Sequence, residues 1–211
     1  VDTRSYKVSF DKIHQILHIG ASTDFGAPIH ISRQYNVEGT RMVLDLAEAC
    51  TRQGVLRRVD YVSTCFVSGD KKGKVTEDSL ERGQTFSNSY ERSKYEAELL
   101  VREYMPRIDI CIHRPSIVVG DSESGYTPHF KVLYWPLKLL SRKLLPFVPC
   151  KAKAHMDVVP VDFVANAINT IMTDENTVGQ TFHISAGIGN EANIRDILQK
   201  AEEYAGIKMV P

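Results

Sequence analysis

The sequence carries no charge excess of either sign. Its 26 Lys and Arg residues balance 26 Asp and Glu, for a formal net charge of zero. That leaves no electrostatic basis for binding nucleic acid or an anionic membrane. The short basic runs KKGK (71–74) and KAK (151–153) read as solvated loops. Cysteine is scarce: Cys50, Cys65, Cys111 and Cys150 stand apart, with no C-x-x-C spacing. This pattern argues against a zinc site and a disulfide framework and suits a reducing compartment. Long hydrophobic runs are missing too. The most apolar stretch, VLYWPLKLLSRKLLPFVP (132–149), contains Lys138, Arg142, Lys143 and two interior prolines, so it is unsuited to span a bilayer. The opening VDTRSYKVSF shows no charged-then-apolar leader, and a cytoplasmic location is expected. No internal repeat or low-complexity segment is visible.

What is present is ordinary for a soluble globular chain: 43% hydrophobic and 25% charged residues in a length of 211, enough for one domain or one and a half with a full core. Strand-like and helix-like segments alternate. KIHQILHIGA (12–21) reads as a buried strand leading into a loop, and NVEGTRMVLDLAEACTRQG (36–54) as a helix. That helix has Val43, Leu46, Ala47 and Cys50 on one stripe and a glycine stop at 54. VDYVSTCFVSG (59–69) and IDICIHRPSIVVG (108–120) return to strand character. Between them SNSYERSKYEAELL (87–100) begins a helix with Ala97, Leu100, Val101 and Tyr104 on its apolar stripe. HMDVVPVDFVANAINTIM (155–172), QTFHISAG (180–187) and NIRDILQKAEEYAG (193–206) continue as strand into helix, strand and closing helix. Strands separated by helices of this length imply βαβ units and a parallel sheet, a Rossmann-like α/β fold.

In such sheets ligands sit beyond the carboxyl ends of the strands. Three strands end in small or polar groups: His18-Ile-Gly20-Ala21, Ser63-Thr64 and Arg114-Pro115-Ser116. The helix between the second and third carries Tyr90 and Lys94, four residues apart and therefore on one face. A hydroxyl, a phenol and an ammonium can together deliver a proton to a carbonyl oxygen while hydride reaches its carbon. A nearby ammonium is expected to lower the phenol's pKa from its ordinary value of about 10. A Ser or Thr hydroxyl can hold the oxygen as charge develops, and lysine can donate to ribose hydroxyls.

The order HIGAS, NVEGT, YVSTCFVSG, NSYERSKYEAE, IHRPSIVVGDSESG, DVVPVDFVANAI, FHISAG resembles the extended short-chain dehydrogenase/reductases. It is most similar to their fatty acyl-CoA reductase and thioester reductase branch, the male-sterility-type NAD-binding domains. The resemblance runs from about residue 12 to 205. It implies Tyr90 as proton donor, Lys94 as its partner and ribose ligand, and Thr64 as the substrate-orienting hydroxyl, with Ser63 the less favoured choice. Asn36 matches the position that supports Lys94, often through water. Gly20 and Ala21 match the loop beneath the adenosine half of the cofactor, with Ser63 beside it, and Arg114, Pro115 and Ser116 flank the nicotinamide. The implied cofactor is NADP, with NAD also allowed. The implied reaction reduces an acyl thioester, on CoA or a carrier protein, to aldehyde or alcohol. A homodimer is compatible with this reading.

The family's Gly-rich phosphate loop has no counterpart in these residues. The expectation is that the chain enters the fold near the fourth strand, with two to three βαβ units not represented and weak cofactor binding by this stretch alone. Residues 1–120 are then the C-terminal part of the Rossmann domain. Residues 121–211 are mainly a substrate-binding subdomain, with 155–172 returning to the Rossmann sheet. The Leu-rich part of 121–150, including Leu133, Trp135, Leu140 and Leu144, suits an acyl chain better than a sugar nucleotide. Two other readings remain open. One is a sugar-nucleotide epimerase, dehydratase or sterol-type dehydrogenase of the same fold, and the other a non-catalytic dinucleotide-binding scaffold. His14 and His18 do not suggest a metal, since strand spacing puts them about 13 Å apart. Cys65 reads as packing. Asp157 and Asp162 read as structural, with Asp162 suited to a helix N-cap. Glu77 fits a turn or a substrate contact equally well.

Overall fold

A computed structural model describes residues 12–128 and 155–205. The chain divides into two compact units, 1–115 with 168–183, and 116–167 with 184–211. The Leu-rich segment 132–147, expected from sequence to be a substrate region, and Cys150 lie outside the described residues.

The first unit is built on a four-stranded sheet ordered β1-β2-β3-β7, with β1 Gln15–His18, β2 Arg58–Val62, β3 Ile110–Pro115 and β7 Thr181–Ile184. β1 runs parallel to β2 in the register Ile16↔Val59, and β2 parallel to β3 in the register Tyr61↔Ile112. Parallel neighbours need crossovers, and the chain supplies them as helices. α1 (Ile29–Arg33), a single π-helical turn (Gln34–Glu38) and α2 (Gly39–Arg52) join β1 to β2. α3 (Ser89–Tyr104) joins β2 to β3. This is the Rossmann-like α/β fold expected from the alternation of segments.

All of β3 and nearly all of β2 are buried, as inner strands of a parallel sheet should be. β1 is not the buried strand that its apolar run suggests. Its residues alternate between exposed and half-buried, with Leu17 39% exposed. The physical reason is position: among the described residues β1 is an edge, paired only with β2.

The core lies between the sheet and helices α2 and α3. It joins Leu44 and Ala47 to Val59 and Tyr61, to Ile110 and Ile112, and to Ala97, Leu100, Val101 and Tyr104. The α3 stripe is the one its spacing indicates. On α2 the buried line is Thr40, Leu44, Ala47 and Cys50, while Val43 and Leu46 are half-buried. At 3.6 residues per turn both fall to the same side of that line. Each fully buried Leu, Ile or Val contributes about 1.5–3 kcal/mol.

Polar groups in this interior are mostly paired, with the buried His113 Nδ1 an exception. Arg58 holds both Asp60 oxygens at 2.7 and 2.8 Å and donates to the carbonyls of Ile171, Met172 and Asp174, at the end of the helix Val161–Thr173. His113 Nε2 lies 2.8 Å from Asp60 Oδ1. Asp60, Cys111 and His113 bring potential metal-ligand atoms within 4.8 Å of one another. Both Asp60 oxygens already serve Arg58, so the cluster works as an ion-paired core.

The loop from β2 to α3 is closed by Asp70, whose carboxylate accepts from Thr85 N at 2.8 Å and Thr85 Oγ1 at 2.7 Å. Gly69 makes this closure possible. Its φ is +57°, and a Cβ there would run into the Thr85 carbonyl.

In the second unit, β4 (Ile117–Val119) pairs in parallel with β6 (Val158–Pro160), and β5 (His155–Met156) antiparallel with β8 (Ala192–Asn193). The strand from 155–172 therefore pairs with 117–119, and it is β7 that joins the larger sheet. α4 (Val161–Thr173) follows β6, and α5 (Ile194–Ala205) follows β8. Asp162 is not the N-cap of α4 but sits in its first turn, where its carboxylate accepts from Ser122 N at 2.9 Å and Ser122 Oγ at 2.7 Å. Asp157 accepts from Ala186 N at 3.0 Å. Both carboxylates tie loops together.

Candidate active site

The start of α3 is fixed by a reciprocal cap. Asn88 Oδ1 accepts from Glu91 N at 2.9 Å, and the Glu91 carboxylate accepts from Asn88 Nδ2 at 2.9 Å and Ser87 N at 3.0 Å. This places Tyr90 in the first turn and Lys94 one turn further along the same face. Lys94 is not a surface lysine: only 2% of it is exposed. Its Nζ donates to Tyr61 Oη at 2.7 Å and to Val62 O at 2.8 Å, and sits 4.3 Å from the centre of the Tyr61 ring. Burial dominates its electrostatics and pulls the ammonium down to about 7, against an opposing pull from Glu98.

Tyr90 does not follow the expectation that lysine would lower its pKa. Burial is the largest influence and raises it, Glu91 adds to the rise, and a hydrogen bond with the Thr64 hydroxyl works the other way. The Lys94 ammonium is engaged by Tyr61 and Val62 instead. A phenol held above its usual value stays protonated through the neutral range, which is the state a proton donor needs. The Phe25 ring lies 5.3 Å from the Tyr90 ring.

Thr64, 3% exposed, ends the run after β2, where its Oγ1 accepts from Phe66 N at 3.3 Å and reaches Pro115 O at 3.5 Å. It therefore links the ends of β2 and β3 beside Tyr90. Ser63 faces the interior instead, where its hydroxyl donates to Glu98 Oε2 at 2.6 Å. Arg114 is likewise committed and fully buried. It holds Glu98 through Nε at 3.1 Å and Nη2 at 2.6 Å, donates to Ser79 O at 3.0 Å and lies 3.2 Å from His183 Nε2. Neither side chain is free to bind a cofactor, so Arg114 could contribute only through its backbone. Pro115 offers its carbonyl to Thr64. Ser116 differs: its buried Oγ has no protein partner.

Asn36 sits 1% exposed in the π-helical turn, a distortion often found at functional sites. Its amide does not reach Lys94. Nδ2 donates to Ser22 O at 3.0 Å and Ser93 Oγ at 2.9 Å, and Oδ1 accepts from Ser22 N at 2.7 Å. Asn36 thus fastens the loop carrying Gly20 and Ala21 to the residue before Lys94. Gly20 is not demanded by the backbone, since an added Cβ would meet only the His18 ring at an ordinary 3.7 Å. Glu77 accepts from His183 N at 3.0 Å, a structural contact. Cys65 directs its thiol to Arg114 O at 3.0 Å. Tyr61 carries no signal in the sequence, because its partner lies 33 residues away, and Glu98 shows only its i,i+4 pairing with Arg102, since its other partners lie 16 and 35 residues away.

Residues 1–168 match the family model described as male sterility protein, an NAD-binding family. The chain belongs to this family. Glycine betaine reductase ATRR of Emericella nidulans is 33% identical over 196 residues, covering 89% of this chain and 15% of that protein. Fatty acyl-CoA reductase 1 of Arabidopsis thaliana is 20% identical over 242 residues, covering 90% and 49%. The crystal structure of the terminal R domain from the myxalamid PKS-NRPS pathway superposes with a TM-score of 0.81 at 31% identity, covering 93% of this chain and 49% of that one. The chain thus spans about half the length of two of these relatives and much less of the third. These matches place it among the extended short-chain dehydrogenase/reductases, in the branch containing fatty acyl-CoA reductases and terminal reductase domains. No helix among the described residues is long and apolar enough to cross a membrane.

The donors present suit the nicotinamide-ribose half of such a cofactor. Lys94 has three N–H donors and two protein acceptors for them.

Proposed function

We propose that this protein reduces an acyl thioester, carried on CoA or a carrier protein, with NADPH or NADH as hydride donor. The supporting observation is the Tyr90 phenol: half-buried, held protonated beside the Thr64 hydroxyl, and one helical turn from a buried lysine at the carboxyl ends of parallel strands. In this reading Thr64 orients the thioester oxygen and Tyr90 gives it a proton as hydride arrives at carbon. The resulting hemithioacetal collapses to aldehyde and thiol. Lys94 holds the ribose, with Pro115 at the nicotinamide end. Asn36 sets the Gly20–Ala21 loop under the other half, and NADPH is the favoured donor. Residues 1–120 serve the dinucleotide and 121–211 mainly the substrate, whose acyl chain the apolar composition of 132–147 suits.

Tyr90→Phe in the full-length protein tests the assignment. It should abolish thioester reduction while leaving NADPH affinity within a few-fold, because the phenol moves the proton and does not bind the nucleotide. Substantial turnover by a folded Tyr90→Phe protein would refute it.

A further inference from the structure

The segment between β1 and α1 is fastened on both sides of one aromatic ring. Before the ring, the Asn36 side chain holds both backbone groups of Ser22, N at 2.7 Å and O at 3.0 Å. Around it, Gly26 N donates to Asp24 Oδ1 at 2.9 Å, a side-chain turn that shapes the backbone at Phe25. After it, Pro28 opens α1, where the Ser32 hydroxyl donates to Ser89 Oγ at 3.2 Å, the residue before Tyr90. Arg33 adds a two-pronged ion pair to Glu96, each contact 2.7 Å. The Phe25 ring so placed lies 5.3 Å from the Tyr90 ring at a tilt of 31°, inside the range of about 4.5–7 Å for aromatic pairs. It is still 41% exposed. A lone exposed apolar side chain is ordinary. One fastened against the proton donor of a site is not.

We propose that Phe25 is a specificity-determining residue, its exposed surface packing against the first apolar carbons of the acyl chain beside the thioester carbonyl. The inference rests on the reductase reading above and adds to it the character of the preferred substrate. Thr64 gives the site its polar side, a hydroxyl at the strand ends bonded to Phe66 N and Pro115 O. Phe25 gives it an apolar side, on the β1–α1 loop. A thioester oxygen within reach of the Tyr90 phenol, about 2.7 Å, brings the carbons next to the carbonyl up to the ring that adjoins Tyr90. Covering that ring removes apolar surface from water, more for a longer chain than for acetyl. A carboxylate at the same place would lose its water against a ring that offers no donor and no charge. The substrate class is therefore a thioester whose carbonyl carries an alkyl or aryl group, not a dicarboxylic one.

The test compares hexanoyl-pantetheine with acetyl-pantetheine as substrates of the full-length protein, in wild type, Phe25→Ala and Phe25→Leu. Phe25→Ala should lower kcat/KM for the hexanoyl substrate about tenfold, through KM, and change acetyl by less than about twofold. Phe25→Leu keeps part of the apolar surface and should show the same selectivity at smaller size, and it decides alone should Phe25→Ala not fold. Calorimetric binding of S-hexyl-pantetheine and S-ethyl-pantetheine, thioethers that cannot be reduced, reads the same contact without turnover. Equal losses on long and short ligands would overturn the inference, because a ring that only covers Tyr90 or stiffens its loop affects both alike. Unchanged values for both would overturn it too. In either case the reductase reading stands if wild type turns over and Tyr90→Phe does not. A loss confined to S-hexyl-pantetheine in a protein that reduces no thioester would support the acyl contact at Phe25 and refute the reductase reading.

Discussion

Lys94→Met separates what the lysine does for function from what it does to stability. Burial lowers the ammonium from 10.5 to about 7, which corresponds to about 5 kcal/mol at about 1.4 kcal/mol per pKa unit. That is the penalty for holding the charged form in the fold rather than the neutral one. Methionine fills the same channel without charge, but strands the Tyr61 hydroxyl and the Val62 carbonyl, together worth about 3 kcal/mol. At pH 6 the lysine is charged in both folded and unfolded chains, so the whole penalty applies. The variant should then be more stable by about 2 kcal/mol, a rise in Tm of about 4–8 °C for 150–250 residues.

The pH dependence carries the sharper test. Between about 7 and 10.5 the unfolded chain holds one proton more than the folded one, so wild-type stability rises with pH. The penalty fades through this window while the two stranded groups remain. The advantage of Lys94→Met should therefore vanish about pH 8 and reverse above it. Differential scanning calorimetry of both proteins from pH 6 to 10 reads the crossing. A variant less stable at pH 6, or a difference independent of pH, would refute the account of Lys94 as a destabilised buried charge.

Other sites give independent tests. Glu98→Gln leaves Arg114 buried without its anion and should cost about 3–5 kcal/mol, seen as a lower urea midpoint at unchanged m-value. An unmoved midpoint would contradict the pairing. Gly69→Ala forces a side chain into positive φ and against the Thr85 carbonyl, and should cost about 1–3 kcal/mol by the same measurement. Asn36→Ala removes both bonds to the Ser22 backbone and should cost about 1–3 kcal/mol while raising the nucleotide KM more than it lowers kcat. An equal loss in kcat would assign Asn36 a direct part in proton transfer.

The α/β fold is legible in the sequence because alternation of segments is a local property. Val59, Ile110, Ile112 and the α3 stripe announce their elements by spacing alone. The exposure of β1 is legible only through the expectation that upstream βαβ units are not represented, because an apolar run by itself does not say whether a strand is central or an edge. The site is half legible. Tyr90, Lys94 and Thr64 stand in recognisable short motifs, and the fold brings Tyr90 and Thr64 into contact. Ser63 and Arg114 stand in equally suggestive strand-end motifs but are consumed by Glu98, a residue on the facing helix. Which polar group faces a ligand and which faces the interior depends on partners 16 to 51 residues away, and no local pattern encodes that.

Glu98 and Lys94 show how the same helix face treats two charges in opposite ways. They are one turn apart on α3 and almost equally inaccessible, at 0% and 2% exposure. Glu98 is met by the Arg114 and Arg102 guanidiniums and the Ser63 hydroxyl, so its charge is matched by groups that keep their own. Lys94 is met by a phenol oxygen, a carbonyl and an aromatic face, all neutral. A fully compensated buried charge has reason to exist as architecture, because removing either partner leaves the other exposed to the low-dielectric interior. An under-compensated one weakens the fold in which it sits, and such groups concentrate where a ligand or a reaction makes use of them. The contrast between these neighbours is a physical reason, independent of any family likeness, for placing the chemistry at Lys94 and the scaffolding at Glu98.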